Sequence, residues 1–426
     1  GSIFTVDARS SERSIGGPGP LQPSAACPDP GSAPFELDAD YRRWGGPYWH
    51  QNTRLPYWSM LPSGDFDLMG PFFRMYRESQ PFAEYRCREY YGHPGAFWPE
   101  TMYFWGGYAD ADYGWERAGK PVGEAANPYI RWHWQGAIEV LSTMIEFHAH
   151  TGDETFARGT MLPFAVSVIE FFDRHYSRDE RGALKIEPSQ ALETWQDATN
   201  PLPEVAGLRW VLGRLLALPA ALLGAHRGGW ERFCGELPPV PLREENGQRF
   251  LAPAARFEQP KNREIPELYA IFPYPIYGVG KPDLEMARVS FGVRKFKGIG
   301  GWSQDGIQAA CLGLTEVAGA YAVEAATMRH SGSRFPAFWG PNYDWVPDQD
   351  HGSALMLAVQ KMLLQTDGER ILLFPAWPRD WDVDFKLHAP GRTVVEGRYR
   401  NGKLDRLKVI PAKRRKDVTL LLPVSA

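Results

Sequence analysis

Apolar spacing changes character once along this 426-residue chain, near residue 368. Before that point, apolar residues recur at helical intervals. Trp134, Ile138, Leu141 and Ile145 step by four, three and four, which puts them on one helix face. Pro163 suits the first turn of a following helix that runs to about Arg174. Val205, Leu208, Leu212 and Leu215 mark another helix, begun near Asn200 and Pro201. Ile307, Cys311 and Leu314 mark a further one, and Leu355, Val359 and Met362 the last. After residue 368 the pattern becomes short β runs: Ile371–Phe374, Thr393–Arg398, Leu407–Ile410 and Val418–Leu422, with Asn401-Gly402 as a hairpin turn. The expected fold is mainly α, an (α/α)6 toroid over residues 36–368, followed by a small C-terminal β-sandwich over 369–426. Residues 1–35 are rich in Gly, Pro and Ser without periodicity, as in an arm or linker. The run Lys413-Arg414-Arg415-Lys416 reads as a charged strand edge that resists pairing.

Composition narrows the function classes. A formal charge of −4 lacks the basic surplus of a nucleic-acid binder. No run of 18 apolar residues exists to span a membrane, and no signal peptide is recognisable. The Gly1-Ser2 start suggests that the natural N-terminus lies elsewhere. Cys27, Cys87, Cys234 and Cys311 are far apart and have no zinc-ligand spacing. Cys311 falls on an apolar stripe as a buried thiol. His148 and His150, two apart on a helix, point in different directions and make a poor metal pair. Neither a metal nor a cofactor is expected. Gly278-Val279-Gly280 lacks the strand-turn-helix context of a nucleotide loop, and HExxH, GxSxG and Walker motifs are missing. Aromatic residues reach 13% of the chain. They fit either a large aromatic core or sugar-stacking loops, since sugar C–H faces pack on rings while hydroxyls take polar partners.

Three segments read as loops that hold chemistry: Tyr48–Trp58, Glu187–Asp197 and Asn342–Ser353. Asp350 stands at a helix start, where the partial positive charge keeps a carboxylate ionised and able to act as a base on water. On spacing alone, the reading that Asp350 or Asp348 only caps the helix is the better one. Glu193 lies between Leu192 and Trp195. An apolar setting there would hold its proton near neutral pH, as glycoside hydrolysis needs of an acid. On the same evidence a solvated loop glutamate is the preferred alternative.

Taken in order, seven blocks resemble glycoside hydrolase family 95, over roughly residues 45–425. Asn52-Thr53-Arg54-Leu55-Pro56-Tyr57-Trp58 is similar to the family's Asn-Thr-x-x-x-Tyr-Trp block, and Leu162-Pro163 through Glu170-Phe171-Phe172 to its Tyr-Pro…Glu-Phe-Phe helix. Pro188-Ser189…Glu193 resembles the segment of its general acid, Leu268–Pro273 its Leu-Tyr-Gly-Leu-Tyr-Pro stretch, and Gly301-Trp302-Ser303 its Gly-Trp-Ser entry. Asp350, fifteen residues before Gln365, falls where the family's catalytic Asp precedes Leu-Leu-Gln. Ile371–Pro378 resembles its entry into the C-terminal sandwich.

The resemblance implies an inverting exo-glycosidase acting on a terminal α-L-fucose, α-L-galactose or related sugar of an oligosaccharide or polysaccharide. Glu193 is then the general acid and Asp350 the general base. Asn52, with His50, would orient the water, and the carboxyl groups would stand about 6.5–9.5 Å apart. His50 replaces a second Asn of the family, Glu267 stands near where the family shows His, and His351-Gly352-Ser353 replaces Gly-Asn-Phe. These departures bear on the sugar more than on the reaction. Trp49, Trp195, Trp302 and Trp339 are the expected stacking rings. Arg54, Glu100, Arg131, His133, Glu267 and His351 are the expected hydroxyl partners. The family's N-terminal β-sandwich is expected to be missing or to lie before residue 1. A glycan substrate implies a periplasmic or secreted location; oligomeric state is not legible. Two other classes stay open. One is a polysaccharide lyase that uses His50, Arg54 and Tyr57 on a uronate. The other is a non-catalytic glycan-binding scaffold.

Overall fold

A computed structural model describes residues 47–109, 111–328 and 349–421. They divide into two compact units, one of residues 46–54 and 66–297, the other of residues 55–65 and the chain from 298 onward.

In the first unit, β1 (Tyr48–Trp49) pairs antiparallel with β2 (Thr101–Met102) and leads into α1 (His50–Ser63), whose later turns belong to the second unit. The Tyr48–Trp58 segment is therefore mostly helix, not loop, although Pro56 lies inside it. Next come α2 (Gly70–Tyr91), α3 (Gln135–Thr151) and α4 (Glu154–Phe156). Asp153 caps α4 by accepting the Phe156 N–H at 2.9 Å. A π-helical turn, Ala157–Met161, joins α4 to α5 (Leu162–His175), and Pro163 occupies the first turn of α5 as expected. After β3 (Ser189–Ala191) and β4 (Trp195–Pro201) come α6 (Leu202–Leu216), α7 (Ala220–Leu223) and α8 (His226–Glu236). The hairpin β5 (Leu242–Glu245) and β6 (Gln248–Leu251), then β7 (Ala254–Phe257) and α9 (Leu284–Val293), complete the unit. β7 adds to β4, giving the antiparallel order β3-β4-β7. The Glu187–Asp197 segment is thus a hairpin in a sheet, a second correction to the loop reading.

The apolar stripes explain the packing. Ile138, Leu141 and Ile145 of α3 are buried, as are Val205, Leu208, Leu212 and Leu215 of α6. Each such side chain contributes about 1.5–3 kcal/mol by leaving water. The two helices approach closely at Gly207, where a Cβ would lie 2.7 Å from Ile138 Cγ2 and 2.8 Å from the Tyr274 ring. Much of the aromatic content is core: Trp134 packs on Phe97 and Phe171, with ring centres 5.0 Å apart in each pair.

In the second unit, the expected single helix through Ile307, Cys311 and Leu314 is two. α10 (Asp305–Cys311) ends, Gly313 turns the chain at φ +68°, and α11 (Thr315–Thr327) begins after Leu314. α12 (Gln349–Leu363) runs into β8 (Leu364–Asp367) and β9 (Arg370–Leu373). Then follow β10 (Val383–Ala389), β11 (Thr393–Arg400), β12 (Lys403–Ile410) and β13 (Val418–Leu420). One sheet is ordered β10-β11-β12. The other is β13-β9-β8, with β13 parallel to β9. Phe374 joins them, its ring centre 5.8 Å from Phe385 and 5.0 Å from Tyr399. Asn401 and Gly402 turn β11 into β12 with φ of +50° and +75°. The basic run is not a strand edge. It forms a short 3-10 helix, and Arg414 is buried against Glu369, Asp417 and Thr393.

Among the described residues, Cys87, Cys234 and Cys311 are free thiols, and no group of three or more His, Cys, Asp or Glu is arranged to hold a metal ion. No described helix is long and apolar enough to cross a membrane.

Candidate functional site

Glu193 occupies the turn between β3 and β4. Leu192, just before it, has φ +53°, a left-handed conformation that a branched side chain adopts only when its surroundings enforce it. Gln190 supplies that enforcement. Fully buried, it donates to the Leu192 carbonyl at 2.8 Å and to the Tyr129 carbonyl, and accepts the Trp132 N–H at 2.9 Å. Behind the turn, Ala191, Trp195, Ala198 and Ala254 form an apolar cluster, with Phe257 against it. Trp195 is 7% exposed, with Phe257 edge-on at 5.0 Å and Lys295 Nζ at 6.0 Å from its ring centre. It is a wall of the turn rather than an open face for stacking a sugar.

Residues 261–264 cradle this turn from outside. Lys261 N–H donates to the Thr194 carbonyl at 2.7 Å, and the Thr194 hydroxyl to the Glu264 carbonyl at 3.2 Å. The Glu193 N–H donates to Glu264 Oε2 at 3.1 Å. Asn262 Nδ2 donates to Glu193 Oε2 at 2.6 Å. The orientation of that amide is fixed independently, because Asn262 Oδ1 accepts the Arg263 N–H at 2.8 Å. The Glu193 side chain is itself 8% exposed.

Deeper in the same unit lies a charged and polar cluster. Arg54 of α1 donates to Glu139 Oε1 at 2.7 Å, to the Tyr269 hydroxyl at 2.8 Å and to the Gln51 carbonyl at 3.1 Å. Gln135 bridges Glu139 Oε2 at 2.9 Å and the Tyr274 hydroxyl at 2.7 Å. Arg54 thus anchors buried groups, and all three of its nitrogens have protein partners. Burial works against its charge, but Glu139 and Tyr269 more than compensate and raise its pKa. Glu100 accepts the Gln51 N–H. Its Oε2 lies 3.8 Å from both His50 Nδ1 and His133 Nε2. His50 packs on Gly136, where a Cβ would stand 3.0 Å from Nδ1.

Burial dominates the protonation of this cluster. It pushes Glu100 up to about 8, against the Gln51 N–H and Arg54 and with help from Glu264 and Glu139. It pushes Glu264 up to about 7, while Arg54, the Glu193 N–H and the Gln51 side chain hold that value down and Glu139 raises it. Burial, then Arg54, drives His50 well below the usual imidazole range. Burial, then His50 and Arg54, takes His133 to about 3. Both imidazoles are therefore neutral near pH 7. Among the described residues, none hydrogen-bonds to His50 Nε2 or to either ring nitrogen of His133, all three of them buried.

The other expected residues are placed as follows. Trp49 (β1) and Asn52 (α1) are half-buried, and Glu267 is buried in the 3-10 turn Pro266–Leu268. Arg131 is half-buried and held by the Ala125 carbonyl at 3.1 Å and Glu124 at 3.3 Å. In the second unit, Asp350 lies in the first turn of α12, one residue after the helix start. It is 4% exposed, and its Oδ1 accepts the His351 N–H at 3.0 Å. His351 is 1% exposed. Its Nδ1 accepts the Gly301 N–H at 3.2 Å and its Nε2 donates to the Ala325 carbonyl at 2.9 Å, so both ring nitrogens face protein rather than sugar. Trp302 is half-buried. Trp339, Asp348 and most of the Asn342–Ser353 segment lie outside the described residues. Glu139, Asn262 and Glu264 bond to these candidate groups without being singled out in the sequence. The only signal for Asn262 and Glu264 is a polar stretch, Glu258–Glu264, that reads as ordinary surface loop.

No family model matches this chain, and no curated protein does. A solved structure described as "Putative kojibiose phosphorylase from human microbiome" shares the fold with a TM-score of 0.54 at 11% identity. The match covers 83% of this chain and 52% of that one, so this chain spans about half the length of its structural neighbour. At that identity the likeness speaks to the fold alone.

Proposed function

We propose that this protein is a carbohydrate-active enzyme of the (α/α)6-toroid type, and within that class an inverting exo-glycoside hydrolase. The observation that carries the reading is the Glu193 carboxyl, shielded from water at an enforced turn and aimed by Asn262. Asn262 donates to Oε2 and so orients the carboxyl. As the acid, Glu193 passes a proton to the glycosidic oxygen as the C–O bond breaks. Water attacks the anomeric carbon from the opposite face and gives up a proton to a base. The sequence resemblance assigns that base to Asp350, assisted by Asn52. The nitrogens of His50 and His133 that have no hydrogen-bond partner among the described residues, with Glu100 beside them, suit sugar hydroxyls. A terminal α-L-fucose or α-L-galactose remains the leading sugar class from the resemblance.

Phosphorolysis is the second reading, favoured by the description of the structural neighbour. There phosphate is itself the nucleophile and no base is needed, so Asp350→Asn would be tolerated. A lyase is disfavoured: Arg54, the expected uronate neutraliser, is already paired with Glu139. The test is a screen against aryl glycosides and oligosaccharides with and without phosphate, with the first-released anomer read by NMR. Free sugar of inverted configuration, independent of phosphate, supports hydrolysis. Phosphate-dependent release of a sugar 1-phosphate supports the second reading. Net retention rejects the inverting mechanism.

A further inference from the structure

We infer that Glu264 is a positioning residue for Glu193: its carboxylate, by accepting the Glu193 backbone N–H, locks the Leu192–Thr194 turn, and its protonation loosens that lock. The inference rests on reading Glu193 as the acid.

Of four contacts on the turn, one involves the Glu264 carboxyl. Lys261 N–H to the Thr194 carbonyl, the Thr194 hydroxyl to the Glu264 carbonyl, and Asn262 Nδ2 to Glu193 are unaffected by the charge on Glu264. Only the Glu193 N–H to Glu264 Oε2 bond, 3.1 Å long, involves the titrating group. A hydrogen bond to an ionised carboxylate is roughly twice as strong as one to a neutral group. Three groups besides Glu193 act on Glu264. From α1 come the Arg54 guanidinium and the Gln51 side chain, which favour the anion. From α3 comes Glu139, which favours the acid. Glu264 is 3% exposed, so solvent screens these influences little. With its titration near neutrality, the lock changes state in the pH range where a glycosidase of this kind would work. A glutamate required as an anion thus stands behind a glutamate required as an acid, and the pair gives opposite limbs to a bell-shaped profile.

The test follows the Glu193 amide directly. In protein labelled with 15N-glutamate, with Glu193→Gln used to assign the resonance, the Glu193 N–H signal is recorded across about pH 5 to 9. The expected result is a one-proton inflection near neutrality that disappears in Glu264→Gln, which keeps the shape and an acceptor oxygen. On a turned-over substrate, Glu264→Gln removes the rising limb of kcat with little change in KM, and Glu264→Ala lowers kcat by about tenfold. A Glu193 amide that does not titrate, or an inflection that survives in Glu264→Gln, overturns the inference. If no glycoside is cleaved, the enzymatic reading of Glu193 fails on its own, and the amide titration still decides whether Glu264 controls the turn.

Discussion

Asn262 Nδ2 lies 2.6 Å from Glu193 Oε2, while the other atom of the same amide, Oδ1, accepts the Arg263 N–H at 2.8 Å. A neutral donor therefore fixes one oxygen of the acid without adding charge. Asn262→Asp would put a second carboxylate against Glu193. Like charges at this range raise the pKa of one partner, so the acid limb of kcat/KM should move to higher pH. Asn262→Ala should leave that limb near its place and lower kcat by about tenfold through lost positioning. A pH profile of both variants distinguishes charge from position; identical profiles would show that neither matters.

The Arg54–Glu139 pair is a stability element. Both side chains are 2% exposed or less. Removing one member strips the other of its ion-pair partner in a buried setting, which costs about 3–5 kcal/mol. Arg54→Met should lower the urea midpoint by that equivalent, and Arg54→Met/Glu139→Gln should recover much of it. A double variant as unstable as the sum of the two single variants would show that the charges are not coupled.

These two sites differ in how far the sequence reveals them. α3, α5 and α6 were legible because an apolar stripe at helical spacing is a local signal, and Ile138, Leu141, Val205 and Leu208 are buried as that signal implies. The break after α10 was hidden because Leu314 continues the stripe across Gly313. α1 lacks a legible helical signal because Pro56 and Pro62 sit inside it, and its polar first turn faces buried carboxylates instead of an apolar core. Strand β10 carries a plain alternation, with Val383, Phe385, Leu387 and Ala389 buried. Glu193 stands out by its apolar neighbours and by the resemblance, but its partners do not, because Asn262 and Glu264 are 69 and 71 residues away in sequence and meet the turn only through the fold.

Stability should depend on pH with two opposing slopes. Glu100 and Glu264 are raised to about 8 and about 7 in the fold, against an ordinary carboxylate value of about 4.3. Between those values the folded protein binds protons that the unfolded chain has released, so stability falls as pH rises. His133, lowered to about 3, and His50, lowered in the same sense, act oppositely: below about pH 6.5 the unfolded chain binds protons that the fold refuses, so stability rises with pH. Thermal melts across pH should therefore peak in the mildly acidic range. Glu100→Gln should flatten the alkaline decline. An undiminished slope in that variant would show that Glu100 is already ionised in the fold.

The central claim is that Glu193 delivers a proton to a departing glycosidic oxygen, and leaving-group dependence tests it most directly. Once a substrate class is known from the screen, Glu193→Gln is assayed on a pair of glycosides of the same sugar. One has a poor leaving group that needs protonation, and the other an activated aryl group that does not. The account predicts a loss of about 10²–10⁴-fold on the first and near-parental turnover on the second. Equal losses on both substrates, or none on either, would contradict it.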